Sequence, residues 1–477
     1  MTTVLAIDQG TSGTKAMVVD GSDRVLSVVE LPVRPRYLPG GGVEQDPGEL
    51  LDSVLESGRR AVAEAGARVD CVTLANQGET VLAWDPRTGE PLTQAIVWQD
   101  RRAAGICAER DGSAELVRDR TGLVLDPYFS APKMRWIREN LTGDGVVTTT
   151  DSWLVHRLTG EFVTDAATAS RSLVTALDTV TWDAELLELF GLADEPLPRI
   201  AACDEIVGET TAFGGPAAVG GLVVDQQAAL LAERCLAPGE AKCTFGTGAF
   251  LLANMGTAPA RSTSGLAASV AWRVRGRTSY CFDGQVATAA SAVRWLQDLG
   301  LVGGAPDLDR VAASDADGVL CVPALAGLSA PWWAPDATAS FTGMTLSTSA
   351  GHLVRAVLDG IAAQVAELAD CTARDIGGPL RRLRVDGGLT RSRVLMQAVA
   401  DLLQAQVDVY PSEHATALGA VALARAAADP ALPLADAVVD WTPSTGYTPR
   451  IGPDEAAGFR TRWRTAVETS AIPKEGQ

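Results

Sequence analysis

In this chain the residue types and spacing that point most directly to chemistry are Asp8-Gln9-Gly10-Thr11-Ser12-Gly13-Thr14-Lys15. Glycines let backbone N–H groups come close to an anion, and the Thr11 and Ser12 hydroxyls add donors. Asp8, at the entrance to the stretch, is the hard oxygen donor that a cation such as Mg²⁺ takes. Phe245-Gly246-Thr247-Gly248 repeats the pattern later in the chain. A further carboxylate, Asp225 in Val223-Val224-Asp225-Gln226-Gln227, lies shortly before that second turn. An alcohol is a poor nucleophile, and a carboxylate within hydrogen-bond reach can orient it and accept its proton. Each feature also has a plainer reading: glycine-rich hairpin turns, and an Asp that caps a helix beginning at Gln226.

The elements that position these residues are legible as periodicity. Val4-Leu5-Ala6-Ile7 and Ala16-Met17-Val18-Val19 are short apolar runs, so the first turn joins two strands. An apolar segment from Ala241 and the run Ala249-Phe250-Leu251-Leu252 flank the second turn in the same way. Two such hairpins predict a duplicated α/β domain, each half offering one turn to a nucleotide held between them. That is the logic of the actin-like, or ribonuclease H-like, ATPase fold. The turn is not a P-loop, since G-x-x-x-x-G-K-[ST] does not occur.

Asp46-Pro47 reads as a helix start, followed by the stripe Leu50, Leu51, Val54, Leu55, Ala61, Val62. Cys71-Val72-Thr73-Leu74-Ala75 is a strand with the polar exit Asn76-Gln77-Gly78-Glu79-Thr80. Ala95-Ile96-Val97-Trp98 is another, so polar groups gather at one rim, where open α/β sheets bind ligands. Asp283-Gly284 is expected to end a strand before a helix through Val293, Trp295 and Leu296. Leu383-Arg384-Val385-Asp386-Gly387-Gly388 is a strand and turn preceding a helix at about Ser392. Ala417-Leu418-Gly419-Ala420 is a helix with glycine at a crossing.

The totals exclude several classes. A length of 477 residues suggests two or three domains, and 47% hydrophobic residues with a mean hydropathy of +0.10 suffice for buried cores. No apolar run approaches the roughly 20 residues a membrane span needs. The start of the chain lacks a basic n-region, so no signal peptide is expected. Eight scattered cysteines without C-x-x-C pairs fit a reduced, cytoplasmic protein. A net charge of −19 argues against nucleic acid or anionic membrane as partner. An anionic nucleotide would then need local positive potential from a metal, backbone N–H groups or Lys15.

The motifs VEQDP, ANQGET, AIVWQDRR, TGLVLDPYFSAPKMRWI, DSWLVHRLTG, DQQAAL, FGTGAF, LRVDGG and TALGA stand in this order. On them the chain resembles the FGGY carbohydrate kinases nearly end to end, and within that family it is most similar to the glycerol kinase branch. The first family signature is matched by Tyr128 through Asn140 and the second by Ala339 through Asp359. The resemblance implies two duplicated ribonuclease H-like domains, residues 1–233 and 234–477, around a cleft. It also implies ATP- and Mg²⁺-dependent phosphorylation of a primary hydroxyl of a small polyol or sugar. A homodimer is compatible with it. Glu79, Trp98, Tyr128, Asp225, Gln226 and Phe250 stand at the acceptor-binding positions, with Asp225 as the base.

By the same resemblance Asp8 and Asp225 would hold Mg²⁺ through water, and Thr11, Ser12 and Gly13 would cradle the β- and γ-phosphates. Lys15 would neutralise the transferring group, and Gly246, Thr247 and Gly248 would form the opposing clamp. Arg294 stands on the adenosine side, Gly387 and Gly388 against the adenine and ribose, and Ser392 where the family contacts the base. One position departs. The family's A-N-Q-R-E-T is here Ala75-Asn76-Gln77-Gly78-Glu79-Thr80, so Gly78 is expected to remove a forked donor and open a cavity. Losing a charge-assisted bond costs a hydroxyl about 1.5–3 kcal/mol. The expected acceptor is therefore longer than glycerol, with a true glycerol kinase as the alternative. A non-kinase actin-like ATPase or binding module is the rival of another class, and it would not need the acceptor constellation.

Overall fold

The computed structural model describes residues 2–471 of the chain. The first apolar run forms β1 (Val4–Gln9) and the second forms β2 (Gly13–Val19), antiparallel and in register from Val4–Val19 to Gln9–Thr14. β3 (Val25–Pro32) adds to β2, and β4 (Cys71–Asn76) joins the other side of β1 in parallel. A parallel neighbour requires a crossover, here α1 (Pro47–Ala65). It starts where Asp46-Pro47 predicts: the Asp46 carboxylate accepts from the amides of Gly48 and Glu49. Leu50, Val54 and Ala61 bury its inner face. β5 (Ile206–Thr210), β6 (Ala217–Gly220) and β7 (Val223–Val224) complete a seven-stranded sheet in the order β5-β6-β4-β1-β2-β3, with β7 also on β4.

The second half repeats the plan. β8 (Ala241–Phe245) and β9 (Ala249–Gly256) form the second hairpin, and β10 (Ala267–Val274) and β11 (Arg277–Val286) extend it. β12 (Arg382–Asp386) lies parallel to β8, followed by β13 (Gln406–Val409) and β14 (Thr445–Tyr447), in the order β10-β11-β9-β8-β12-β13-β14. The cores β3-β2-β1-β4 and β11-β9-β8-β12 share one pattern: three antiparallel strands, then a parallel one. The duplication expected from the hairpins is therefore present in the topology.

A small five-stranded sheet, including Val81–Trp84 and Ala95–Ile96, carries the segments around Glu79 and Trp98 to the rim. Two boundaries differ from the sequence reading. The helix α2 (Asp225–Ala232) starts at Asp225, not Gln226. Strand β11 runs through Asp283-Gly284 to Val286, because both residues pair with β9. Gly284 marks close packing rather than a strand end: a Cβ there would meet Leu368 Cδ2 at 2.7 Å. Leu368 belongs to α4 (Ala350–Ile376), which follows α3 (Ala290–Asp298) and precedes α5 (Arg393–Leu403) and α6 (Ala415–Ala428).

α2 and α6 pack against each other between the two sheets. A Cβ at Gly419 on α6 would lie 1.9 Å from the Ala228 carbonyl oxygen on α2. That atom is backbone, so no rotamer change relieves the clash. Gly419→Ala is expected to destabilise the protein by about 3 kcal/mol, the upper part of the usual overpacking cost. A thermal melt showing an unshifted transition would refute this close crossing.

Candidate active site

The tip of the β1–β2 hairpin and the tip of the β8–β9 hairpin face one cavity of about 150 Å³. Thr11 and Ser12 line it from one side and Thr247, Gly248 and Phe250 from the other. Gly78, Glu79, Trp98, Tyr128, Asp225 and Gln226 also line it, with Tyr37, Gln77 and Gln99. Lys15, Gly387 and Gly388 instead line a neighbouring cavity of about 850 Å³, with Asp386, Tyr410 and His414. Gly13 opens β2, Gly246 lies in the second turn, and Asp8 stands one residue before the end of β1. Arg294 is exposed on α3 and lines neither space. Ser392 is turned to a structural task. It caps α5, its hydroxyl accepting from the Leu395 amide and donating to Asp309 Oδ1 at 2.8 Å, so it is not free to meet a base.

Aromatic side chains frame the inner cavity. Trp98 packs edge-on to Tyr128 and Phe250, with centroid separations of 5.6 and 6.1 Å. Trp98 Nε1 donates to Thr11 Oγ1 at 2.8 Å, tying the acceptor wall to the first turn. Below Tyr128, the fully buried Lys133 donates to the carbonyls of Pro127, Tyr128 and Phe129 at 2.9, 2.5 and 2.6 Å. Burial pulls this ammonium down to about 8, with Glu79 pulling the other way. Glu79 has φ +59° inside a turn closed by Thr80 N–H donating to the Gly78 carbonyl at 2.7 Å. Such a conformation in a non-glycine residue is strained and is held by its surroundings.

Its chief partner is Arg171, which the residue-by-residue reading of the sequence missed. This guanidinium is 3% exposed and donates to Glu79, to Asp283 Oδ2 at 2.7 Å, and to the Tyr128 hydroxyl at 3.0 Å. The expectation that Gly78 leaves the site without a forked cation is therefore corrected. A cation arrives from behind, off the segment after the short helix Ala166–Ala169. The Asp165 carboxylate fixes that segment by accepting from the amides of Ala167 and Thr168. Nor is the space beside Gly78 open. A Cβ there would lie 3.0 Å from Val224 Cγ2 and 3.7 Å from Arg171 Nε. The available signal was weak: an arginine closing a run of small polar residues, Thr164 to Arg171.

Asp225 sits at the start of α2, its Oδ1 accepting from the Gln226 amide at 2.6 Å. Burial raises its carboxyl, while Lys242 and Arg171 oppose the rise. Lys242 is fully buried and donates to Gln226 Oε1 and Thr244 Oγ1 at 2.6 and 2.7 Å. Burial, and next Asp225, push Asp8 up to about 7, against Lys15. Two carboxylates in this relation create the electrostatic situation that a cation relieves. Among the described residues no three His, Cys, Asp or Glu side chains form a metal cage. A cation held by Asp8 and Asp225 would therefore keep water and phosphate oxygens as ligands, as Mg²⁺ prefers.

The turns fit an anionic chain of phosphates. Among the described residues, the amides of Thr11, Ser12, Gly246 and Thr247 donate to no protein acceptor. Glycine is required close by: a Cβ at Gly248 would meet the Val286 carbonyl oxygen at 2.5 Å, and one at Gly387 would meet that of Phe245 at 2.4 Å. The second turn is braced from behind. Its Gly246 and Thr247 carbonyls accept from the first amides of α3, Ala290 at 3.0 Å and Ser291 at 3.2 Å.

Known proteins resemble the chain over nearly its whole length. The N-terminal domain of the FGGY family of carbohydrate kinases matches residues 3–231, and the C-terminal domain matches residues 241–428. Glycerol kinase of Alkalilimnicola ehrlichii is 41% identical over 490 aligned positions, covering 98% of each chain. The crystal structure of Plasmodium falciparum glycerol kinase with ADP superposes with a TM-score of 0.90 at 30% identity, covering 99% of both chains. Xylulose kinase from Rhodospirillum rubrum superposes at 0.86 and 26% identity, covering 98% of both.

Two outcomes follow from the buried charges. Arg171→Lys keeps a cation but cannot serve three acceptors in one plane. It is expected to lower acceptor kcat/KM roughly 10- to 150-fold, the worth of one charged hydrogen bond, with circular dichroism unchanged. The second concerns pH. The folded Asp8 value of about 7 lies above the reference 3.8, so the stability it contributes is lost as pH rises through about 7. Asp8→Asn is expected to raise the ligand-free melting temperature at pH 8 by about 2 °C or more. The gap over wild type should be less than half as large at pH 5, and equal gaps at both pH values would contradict the assignment.

Proposed function

The chain belongs to the FGGY family of carbohydrate kinases, and from that premise we propose that it moves the γ-phosphoryl group of ATP to a primary hydroxyl of a small polyol or sugar, with Asp225 as general base. One observation carries the reading: both hairpin tips and the Asp225 carboxylate face the same 150 Å³ cavity as Trp98, Tyr128 and Phe250.

The acceptor carbons lie against Trp98 and Phe250, and its hydroxyls meet Glu79, Tyr128 and Asp225. Arg171 holds Glu79 and the Tyr128 hydroxyl in place from behind. Asp225 accepts the proton of the reacting hydroxyl as the new P–O bond forms and the bond to the bridging β,γ-oxygen breaks. Burial raises the carboxyl and so favours that uptake, while Lys242 opposes the rise. The amides of Thr11, Ser12, Gly246 and Thr247 hold the phosphates, with Lys15 beside the first turn and Gly387 and Gly388 on the nucleoside side. Mg²⁺ on Asp8 and Asp225 would supply positive charge across the phosphate oxygens. Catalysis then rests on placement and charge more than on base strength.

Arg171 also favours glycerol itself as a minimal acceptor, because a guanidinium supports Glu79 despite Gly78. We divide the halves at 233/234, between α2 and β8. The eight cysteines are all unpaired and buried, which supports a reducing, cytoplasmic setting. No helix among the described residues is long and apolar enough to cross a membrane.

Asp225→Asn is expected to lower acceptor-dependent ADP release by roughly 10²–10⁴-fold, the usual worth of a general base, while nucleotide binding by calorimetry persists. Turnover within a few-fold of wild type would remove Asp225 from the role. ATP turnover indifferent to every polyol and sugar would instead favour the non-kinase ATPase.

A further inference from the structure

Gln45, the centre of the motif VEQDP, ends the strand Gly42–Gln45 of the small five-stranded sheet and is fully buried. Its neighbours do plain structural work: Glu44 accepts from Arg102 Nη1 at 2.9 Å, and Asp46 caps α1. The Gln45 amide instead reaches out of its own sheet. Its Nε2 donates to the Thr11 carbonyl at 2.7 Å, and its Oε1 accepts from Gln77 Nε2 at 2.8 Å. Gln77 Nε2 also donates to Gln9 Oε1 at 3.4 Å, and Gln9 Nε2 donates to the Gly10 carbonyl at 2.9 Å. The three glutamines are each at most 1% exposed. They come from the end of β1, the end of the Gly42–Gln45 strand and the residue after β4.

The peptide plane turns these bonds into aim. In a trans peptide the carbonyl and the N–H of the next residue point in opposite directions. Holding the Gly10 carbonyl therefore fixes the Thr11 N–H, and holding the Thr11 carbonyl fixes the Ser12 N–H. Both carbonyls face glutamine amides, so both N–H groups face the other way, and neither donates to a protein acceptor among the described residues. A glycine-flanked turn can otherwise rotate its peptides at little cost. The side chain for this task must be neutral, since an anion would repel the phosphates and a cation would compete for them. The cluster is anchored on the acceptor side as well. Gln77 Oε1 accepts from Thr80 Oγ1 at 3.2 Å, and Thr80 Oγ1 accepts from the Trp98 amide at 3.2 Å. Trp98 Nε1, on Thr11 Oγ1, closes the ring.

We propose that Gln45, held by Gln77, is a positioning residue that aims the Ser12 amide of the first turn at the phosphate chain of the nucleotide, with Gln9 doing the same for the Thr11 amide. This rests on the kinase reading, which puts the phosphates at that turn. The amides are then set before the anion arrives, so little of its binding energy goes into ordering them.

The test is calorimetric binding of the non-hydrolysable ATP analogue AMP-PNP with Mg²⁺ and, by competition, of adenosine, which has no phosphate. Gln45→Met keeps the length of the side chain but neither donates nor accepts in its place. It is expected to raise the Kd for AMP-PNP about tenfold or more, the worth of a charge-assisted hydrogen bond, and to leave that for adenosine within about twofold of wild type. Gln77→Met is expected to raise the AMP-PNP Kd as well, and the double variant to exceed the larger single effect by no more than about threefold, because all three break one chain. In coupled ADP release with glycerol, kcat/KM for ATP should fall in parallel. Circular dichroism melts establish folding, and should Gln45→Met not fold, Gln77→Met decides alone. An AMP-PNP Kd within about twofold of wild type in a folded variant, an adenosine Kd that rises equally, or single effects that multiply in the double variant would each overturn the proposal. A wild type that binds AMP-PNP but whose turnover no polyol or sugar stimulates would remove the kinase reading, while the variant Kd values would still decide the role of Gln45.

Discussion

The guanidinium of Arg171 is the interaction on which the rest of the site depends. It is 3% exposed and joins Glu79 of the first half to Asp283 of the second. A buried ion pair adds little net stability over apolar packing, but removing one partner leaves a charge without compensation. Here the bridge also sets geometry. Glu79 is held in a left-handed turn and Tyr128 is fixed by its hydroxyl, and both line the acceptor pocket. The same cation therefore shapes the pocket and ties it to the opposing half, so halves that part must also loosen the acceptor wall.

A second constraint is electrostatic. The chain carries a net charge of −19, yet its cleft must accept a polyanion. The resolution lies in where charge is placed and how it is held. Asp8, Asp225 and Asp386 are each raised by burial, so the carboxylates nearest the cleft give up their charge more readily than surface ones. Glu233 is pushed well up by burial and by Asp386 beside it. Meanwhile Lys242 and Arg171 are buried cations, and the hairpin amides add fixed partial charges that cost no ionisation.

Periodic apolar runs made the two hairpins, α1 and α3 legible in the sequence, because burial of a strand or a helical stripe is a local demand. The ends of elements were harder. Gly284 reads as a stop, but it is small because Leu368 packs on it, a contact that exists only in the fold. Ser392 reads as a base contact by its column, but its hydroxyl is spent on a helix cap. Arg171 meets Glu79 and Asp283 across 92 and 112 residues. Neither periodicity nor motif spacing carries information at that range.

Gly78 shows how a motif and a structure weigh the same departure differently. By column, the glycine deletes an arginine. In space, any side chain at 78 would start 3.0 Å from Val224 and 3.7 Å from the Arg171 guanidinium. An arginine there would bring a second cation against the first, with Glu79 as their nearest shared counter-charge. Like charges at such range in a buried site repel strongly. With glycine at 78, Arg171 can lie against Glu79 and reach Tyr128 and Asp283 together, which a crowded guanidinium could not do. The small residue is thus what lets one cation serve both halves.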